Sequence, residues 1–119
     1  MNQQSLRTLT KRRDFDSVFK KGKNHSSRYL VIYAMPNSLN FSRFGLAVSK
    51  KIGKAVVRNR LKRLLRESLR ALSKEIPVPC DIVIIARKLA PEGSLNDFIN
   101  DIKLALLRFK DEGIFDTAD

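Results

Sequence analysis

Between residues 55 and 74 the chain carries an apolar stripe and a basic stripe at the same helical spacing, and the two make opposite demands on their surroundings. Val57, Leu61, Leu64, Leu65, Ser68 and Leu72 recur every three or four positions, which places them along one side of a helix that must be covered. Opposite them, Arg58, Lys62, Arg66 and Arg70 form an i, i+4 row, with Asn59 and Arg63 beside it and Arg60 flanking the other edge. Glu67 is the one acid within the run. Like charges four apart cost an isolated helix roughly 0.2–0.5 kcal/mol per pair. Such a helix needs a core on one side and an anion on the other. Upstream, Lys50, Lys51 and Lys54 surround Gly53 close to the helix start, where free backbone N–H groups also favour an anion. Pro77 and Pro79 prevent the helix from continuing.

The rest of the pattern supplies the core. Residues 11–21 read as a short helix with Phe15, Val18 and Phe19 at i, i+3 and i+4, and Gly22 as its stop. Val18 is the core candidate of this helix. Residues 28–35, rich in β-branched and aromatic side chains, read as a strand that Pro36 ends, and 36–40 as a turn. A second strand over 43–49 alternates Phe44, Leu46 and Val48 with smaller or charged residues. Two successive strands joined by a short loop are most simply antiparallel. Residues 81–87 contain an unbroken apolar run from Ile82 to Ala86, as in a strand covered on both faces and therefore central. Ser94 is placed to cap a last helix, with Asp97 in its first turn and Leu95, Phe98, Ile99, Ile102, Leu106 and Phe109 on its packing face. The order is α-β-β-α-β-α, an α/β sandwich with helices against one sheet. At 119 residues this is one domain, with an ordered core expected over about 7–112 and a flexible tail over 113–119.

Charge narrows the partner. Residues 1–74 hold 19 basic and 3 acidic side chains, residues 75–119 hold 5 and 9, and the whole chain carries +12. Solubility does not require that split, whereas a polyanion selects it, because each neutralised phosphate releases condensed counterions. No stretch approaches the roughly 20 apolar residues of a membrane span, and Met1–Ser5 lacks the apolar core of a signal peptide. No basic helix combines Trp with a large apolar face, which argues against a membrane surface. The single cysteine, Cys80, excludes an internal disulfide and any Cys-based zinc site, and fits a reducing cytosol.

Catalytic groups are scarce. His25 is the only histidine, set among Lys, Asn and Ser, and reads as a surface or RNA-contact residue. Asp14 and Asp16, at i, i+2, point to different sides of their helix, and the later acids are scattered. No nuclease constellation and no metal site can be assembled from these residues. The chain therefore reads as a binder of nucleic acid.

The segment Ser49-Lys50-Lys51-Ile52-Gly53-Lys54-Ala55, followed by Arg58-Asn59-Arg60 and Leu61-Lys62-Arg63-Leu64-Leu65-Arg66, resembles the RNR signature of the bacterial ribonuclease P protein family. Arg13-Asp14-Phe15, Val18-Phe19, Gly22 and Asp81-Ile82-Val83-Ile84-Ile85-Ala86-Arg87 match the same family in order and spacing, over about residues 7–110. The resemblance implies an α/β (α+β) two-layer sandwich like the second domain of ribosomal protein S5. Such a fold has a four-stranded sheet, hence a further short strand near residues 23–25 and the order α-β-β-β-α-β-α. It also implies a left-handed crossover through the RNR helix, against the usual rule. Carried over, Lys50, Lys51, Lys54, Arg58, Asn59, Arg60, Lys62, Arg63, Arg66 and Arg70 meet the catalytic ribonuclease P RNA. A separate cleft between the first helix and the sheet, with Lys11, Arg12, Phe15, Phe19 and Tyr33, holds the single-stranded 5′ leader of precursor tRNA. Catalysis then belongs to the RNA, with Mg²⁺ held mainly by RNA and substrate phosphates. The protein alone is inactive, cytoplasmic and without an obligate protein partner.

The residues themselves bear on the cleft in two ways. Unpaired bases stack on aromatic rings and their phosphates need a basic groove, and Lys11, Arg12, Lys20 and Lys21 flank Phe15 and Phe19. Taken alone, two phenylalanines at i, i+4 fit a core better than a binding surface; the resemblance reverses that preference. Two other classes compete with it. One is an RNA-binding module of the same fold without a ribozyme partner. The other is a DNA-binding protein, against which the basic helix offers almost only charges and one Asn for reading base edges.

Overall fold

The computed structural model describes residues 6–116; Met1–Ser5 and residues 117–119, with the expectations attached to them, lie outside the described residues. In chain order the elements are β1 (Arg7–Thr8), α1 (Arg12–Lys21), β2 (Lys23–Ser26), β3 (Leu30–Pro36), β4 (Arg43–Ala47), α2 (Ala55–Leu72), β5 (Cys80–Ala86) and α3 (Leu95–Asp111). Short 3-10 turns precede α2 at Lys50–Ile52 and follow it at Ser73–Glu75.

The apolar run of β5 takes the centre of the sheet, whose order is β1-β4-β5-β3-β2. β1 and β4, and β4 and β5, are parallel, while β3 pairs antiparallel with both β5 and β2. The strand implied near residues 23–25 is β2. β1 is an additional, fifth strand: two residues are too few to show any periodicity. β3 and β4 do run in opposite directions, but they do not pair. β5 inserts between them, because the loop after β3 bridges the end of β5 instead of folding back as a hairpin. Asn37 N donates to Pro79 O at 3.0 Å, and Cys80 N donates to Ser42 Oγ at 3.0 Å.

Strand alternation then sorts the helices onto two faces. Ile82, Ile84 and Ala86 of β5, with Leu30, Ile32 and Ala34 of β3, pack with Leu61, Leu65 and Leu69 of α2 and Phe98, Ile102 and Phe109 of α3. Val83 points the other way and packs with Val18 of α1 and Leu9, with Phe15, Tyr33, Met35 and Ile85 around them. Helices thus stand on both faces of the sheet, so the two-layer arrangement is extended by α1 as a thin third layer. Buried Ser68 is tolerated because its hydroxyl donates to Leu64 O at 2.8 Å. Ser94 closes a capping box on α3: its Oγ accepts from Asp97 N at 3.1 Å and its N–H donates to Asp97 Oδ2 at 2.8 Å. Residues 113–116, part of the stretch expected to be a flexible tail, are described. Gly113, at φ +78°, turns the chain back, and Phe115 is buried edge-on against Phe109.

Asp81 is the one buried carboxylate among the described residues, and it is fully engaged. It accepts from Arg43 Nη2 at 2.6 Å and Nε at 2.9 Å and from Asn37 Nδ2 at 2.9 Å. That hydrogen bond from Arg43 raises the guanidinium pKa above its usual value. The neighbouring Cys80 thiol is pushed up to about 12, first by burial and then by the charge of Asp81. It stays neutral, and hence a poor nucleophile, throughout the physiological range. Alkylation by iodoacetamide at pH 8 is therefore expected to be negligible in the folded chain and rapid in urea. Fast modification of native protein would contradict the burial.

Candidate nucleic-acid interface

α2 owes its position to its leucines, and that position decides where each cation goes. Val57 and Leu64 are half-buried, and Leu69, outside the stripe read from sequence, completes the buried side. Lys51, Lys54, Asn59, Arg60, Arg63, Arg66 and Arg70 are exposed, as is Lys50, and Lys62 is half-buried at the helix flank. Among the described residues the only ion pairs join Arg43 to Asp81 and to Asp14. No carboxylate among the described residues pairs with the cations of residues 50–70. Arg58 departs from expectation. It is half-buried and donates from Nη1 to Gly53 O at 2.7 Å, tying the 3-10 turn to the first turn of α2. Its charge still contributes to the field, but one of its donors is spent on the fold.

The aromatic residues sit on the other face of the sheet. Gly45 allows this: a Cβ there would stand 2.6 Å from the Phe15 ring, so only glycine lets that ring lie against β4. Phe15 and Phe19 have ring centroids 6.4 Å apart, and Phe19 meets Tyr33 edge-on at 5.0 Å. The three rings make one continuous strip. Phe15 and Tyr33 are half-buried and Phe19 is 40% exposed, while Val18 beside them is fully buried. The helical pattern alone could not separate Val18 from its aromatic neighbours. Lys11 and Arg12 are exposed at the N-terminal end of α1, one turn before Phe15. The register adds a residue that sequence reasoning missed. Asn24 is the cross-strand partner of Tyr33, so its exposed side chain shares the face of the strip. His25 pairs with Ile32 and belongs to the opposite face.

Chemically, this surface carries the charge that a polyanion would need. Asp14 is drawn to Arg43 at 3.4 Å, and Asp16 is exposed. Among the described residues no three His, Cys, Asp or Glu side chains gather around a point where a cation could be held. A groove of about 600 Å³ joins the two sides of the sheet, reaching from Phe15 to Lys62, Arg66 and Arg70.

Known proteins agree with this geometry. The ribonuclease P family model matches residues 4–110. The ribonuclease P protein component of Caldanaerobacter subterraneus subsp. tengcongensis is 42% identical over 103 residues, spanning 87% of this chain and 89% of that protein. That of Clostridioides difficile is 43% identical over 96 residues, spanning 80% and 84%. Among solved structures, the ribonuclease P protein of Thermotoga maritima superposes with a TM-score of 0.75 at 37% identity, covering 85% of this chain and 96% of that one. The Staphylococcus aureus protein superposes at 0.76 and 32% identity, covering 94% and 100%. Unneutralised cations on one helix, an aromatic strip across the sheet and a match along nearly the whole chain lead to one assignment: the chain belongs to the ribonuclease P protein family.

Proposed function

We propose that this chain, as the protein component of ribonuclease P, binds the catalytic RNA through the basic face of α2 and the 5′ leader of precursor tRNA through the strip of Phe15, Phe19 and Tyr33. The observation that carries the reading is the pairing of a cation row without carboxylate partners among the described residues with a partly exposed aromatic strip on the same small domain. Phosphates of structured RNA need the first; unpaired bases need the second. The RNA performs phosphodiester hydrolysis, with Mg²⁺ on its own and the substrate's phosphates. The protein lowers the electrostatic cost of bringing two polyanions together and orients the leader, so that the precursor is preferred over the product.

Reconstitution tests this reading. Protein freed of RNA should leave precursor tRNA intact, and adding ribonuclease P RNA should give cleavage at the mature 5′ end at low Mg²⁺. Within that system Phe19→Ala should weaken binding of leader-bearing precursor by about 1–3 kcal/mol, the value of one stacked base, and leave mature tRNA unaffected. The melting temperature should hold, because the ring is 40% exposed. Cleavage by protein alone would refute the assignment of chemistry. Equal weakening for both tRNA forms would refute the assignment of the strip.

A further inference from the structure

We infer that the leader does not end on the aromatic strip but turns around the open edge of β4 and runs along α2, where Lys62, Arg66 and Arg70 hold its distal phosphates. This rests on the reading of the strip as the leader site, and it reassigns three cations of the basic row from the catalytic RNA to the substrate.

The route exists because β1 is so short. It pairs only with Arg43 and Phe44, and Leu9 N donates to Phe44 O at 2.9 Å before the chain leaves for α1. Beyond that point β4 has no neighbour on its outer side among the described residues. The alternation that turns the Phe44 carbonyl outward turns the N–H and C=O of Leu46 outward as well, into the notch. Phe15 borders the resulting groove on one face of the sheet, Leu46 on the other, and Lys62, Arg66 and Arg70 form its far wall. Among the described residues no carboxylate lines it. Residues four apart on a helix rise by roughly 6 Å, close to the separation of successive phosphates on an extended strand. An apolar floor under such a ladder suits base faces, and only an unpaired strand offers those.

Continuity selects the leader over the catalytic RNA. Phe15 borders the groove and also stands beside Phe19, with centroids 6.4 Å apart, so a strand lying on Phe19 and Tyr33 enters the groove without leaving the protein surface. Arg60 and Arg63, which do not line it, stay available to the larger RNA.

The test measures precursor affinity of the reconstituted holoenzyme over a series of leader lengths. Leu46→Trp fills the notch without altering charge. Arg66→Ala combined with Arg70→Ala strips the wall at exposed positions that folding does not need. Both should weaken long-leader precursors about tenfold, the equivalent of one lost stacked base. Precursors whose leader just covers the strip should bind the Leu46→Trp holoenzyme as they bind wild type, and this variant should also bind the ribonuclease P RNA as wild type does. For the double variant the salt slope with long leaders should fall by about 0.7 per lost contact. A uniform loss at every length, accompanied by weaker binding of the RNA component, would return these cations to the catalytic RNA and overturn the inference. No change at any length, as for a groove that takes an acidic peptide or a small amphiphile, would overturn it too. Failure of the underlying reading shows separately, because wild-type protein would then lack any dependence on leader length.

Discussion

Asp81→Ala is expected to cost about 3 kcal/mol of folding stability, although the residue touches no proposed ligand. Its carboxylate is 2% exposed and binds both nitrogens that Arg43 directs at it, along with the Asn37 amide. Removing one member of a buried pair leaves the other's charge uncompensated, a loss of about 3–5 kcal/mol. The lower end applies because the Arg43 side chain is 24% exposed and keeps Asp14 within 3.4 Å. For a domain of this size, with about 5–15 kcal/mol in total, the melting temperature should fall by roughly 10 °C. Asp81→Asn retains the shape and one acceptor and should lose less. Thermal and urea unfolding decide the matter: a wild-type midpoint for Asp81→Ala would mean that the network adds nothing.

The second large effect is on association. Lys51, Arg60 and Arg63 are exposed and have no ion-pair partner among the described residues. Replacing all three with alanine should leave the fold untouched. At about 0.1 M salt it should weaken binding to ribonuclease P RNA on the order of 100-fold, because each lost phosphate contact forfeits one counterion release. The plot of log affinity against log salt should become shallower by roughly 2–3. Filter binding across a salt series measures both quantities. An undiminished slope would show that these cations face solvent in the complex. Arg58 is left out of this set because its bond to Gly53 would confound folding with binding.

What the sequence discloses about this protein is what depends on local spacing. The leucine stripe follows from a 3.6-residue period, the cap at Ser94 from a capping residue ahead of a helical pattern, and the central position of β5 from an unbroken apolar run, and each stands in the structure. Features that depend on which strands meet are not encoded locally. β5 lies about forty residues after the loop it crosses, so nothing near residue 40 announces that β3 and β4 will be separated. Asn24 enters the strip only through the register with Tyr33, and Arg58 leaves the solvent row only because Gly53 turns its carbonyl toward it. The groove is harder still to foresee. It exists where β1 stops, and it brings Phe15 together with Lys62, Arg66 and Arg70, about fifty positions away in the chain.

The central place of β5 also governs how this chain is born. Until Cys80–Ala86 leaves the ribosome, β2 with β3 on one side and β1 with β4 on the other have no strand to unite them into one sheet. Every cation of the basic face has by then been synthesised, since residues 1–74 hold 19 of the 24 Lys and Arg. A nascent chain at that stage is a strongly cationic, incompletely packed segment beside ribosomal RNA, with its leucines uncovered. The last third of the polypeptide, net acidic, supplies both the closing strand and the helix that covers those leucines. Completion of the fold thus waits for residues 75–119, and the basic half gains its fixed shape only when the acidic segment arrives.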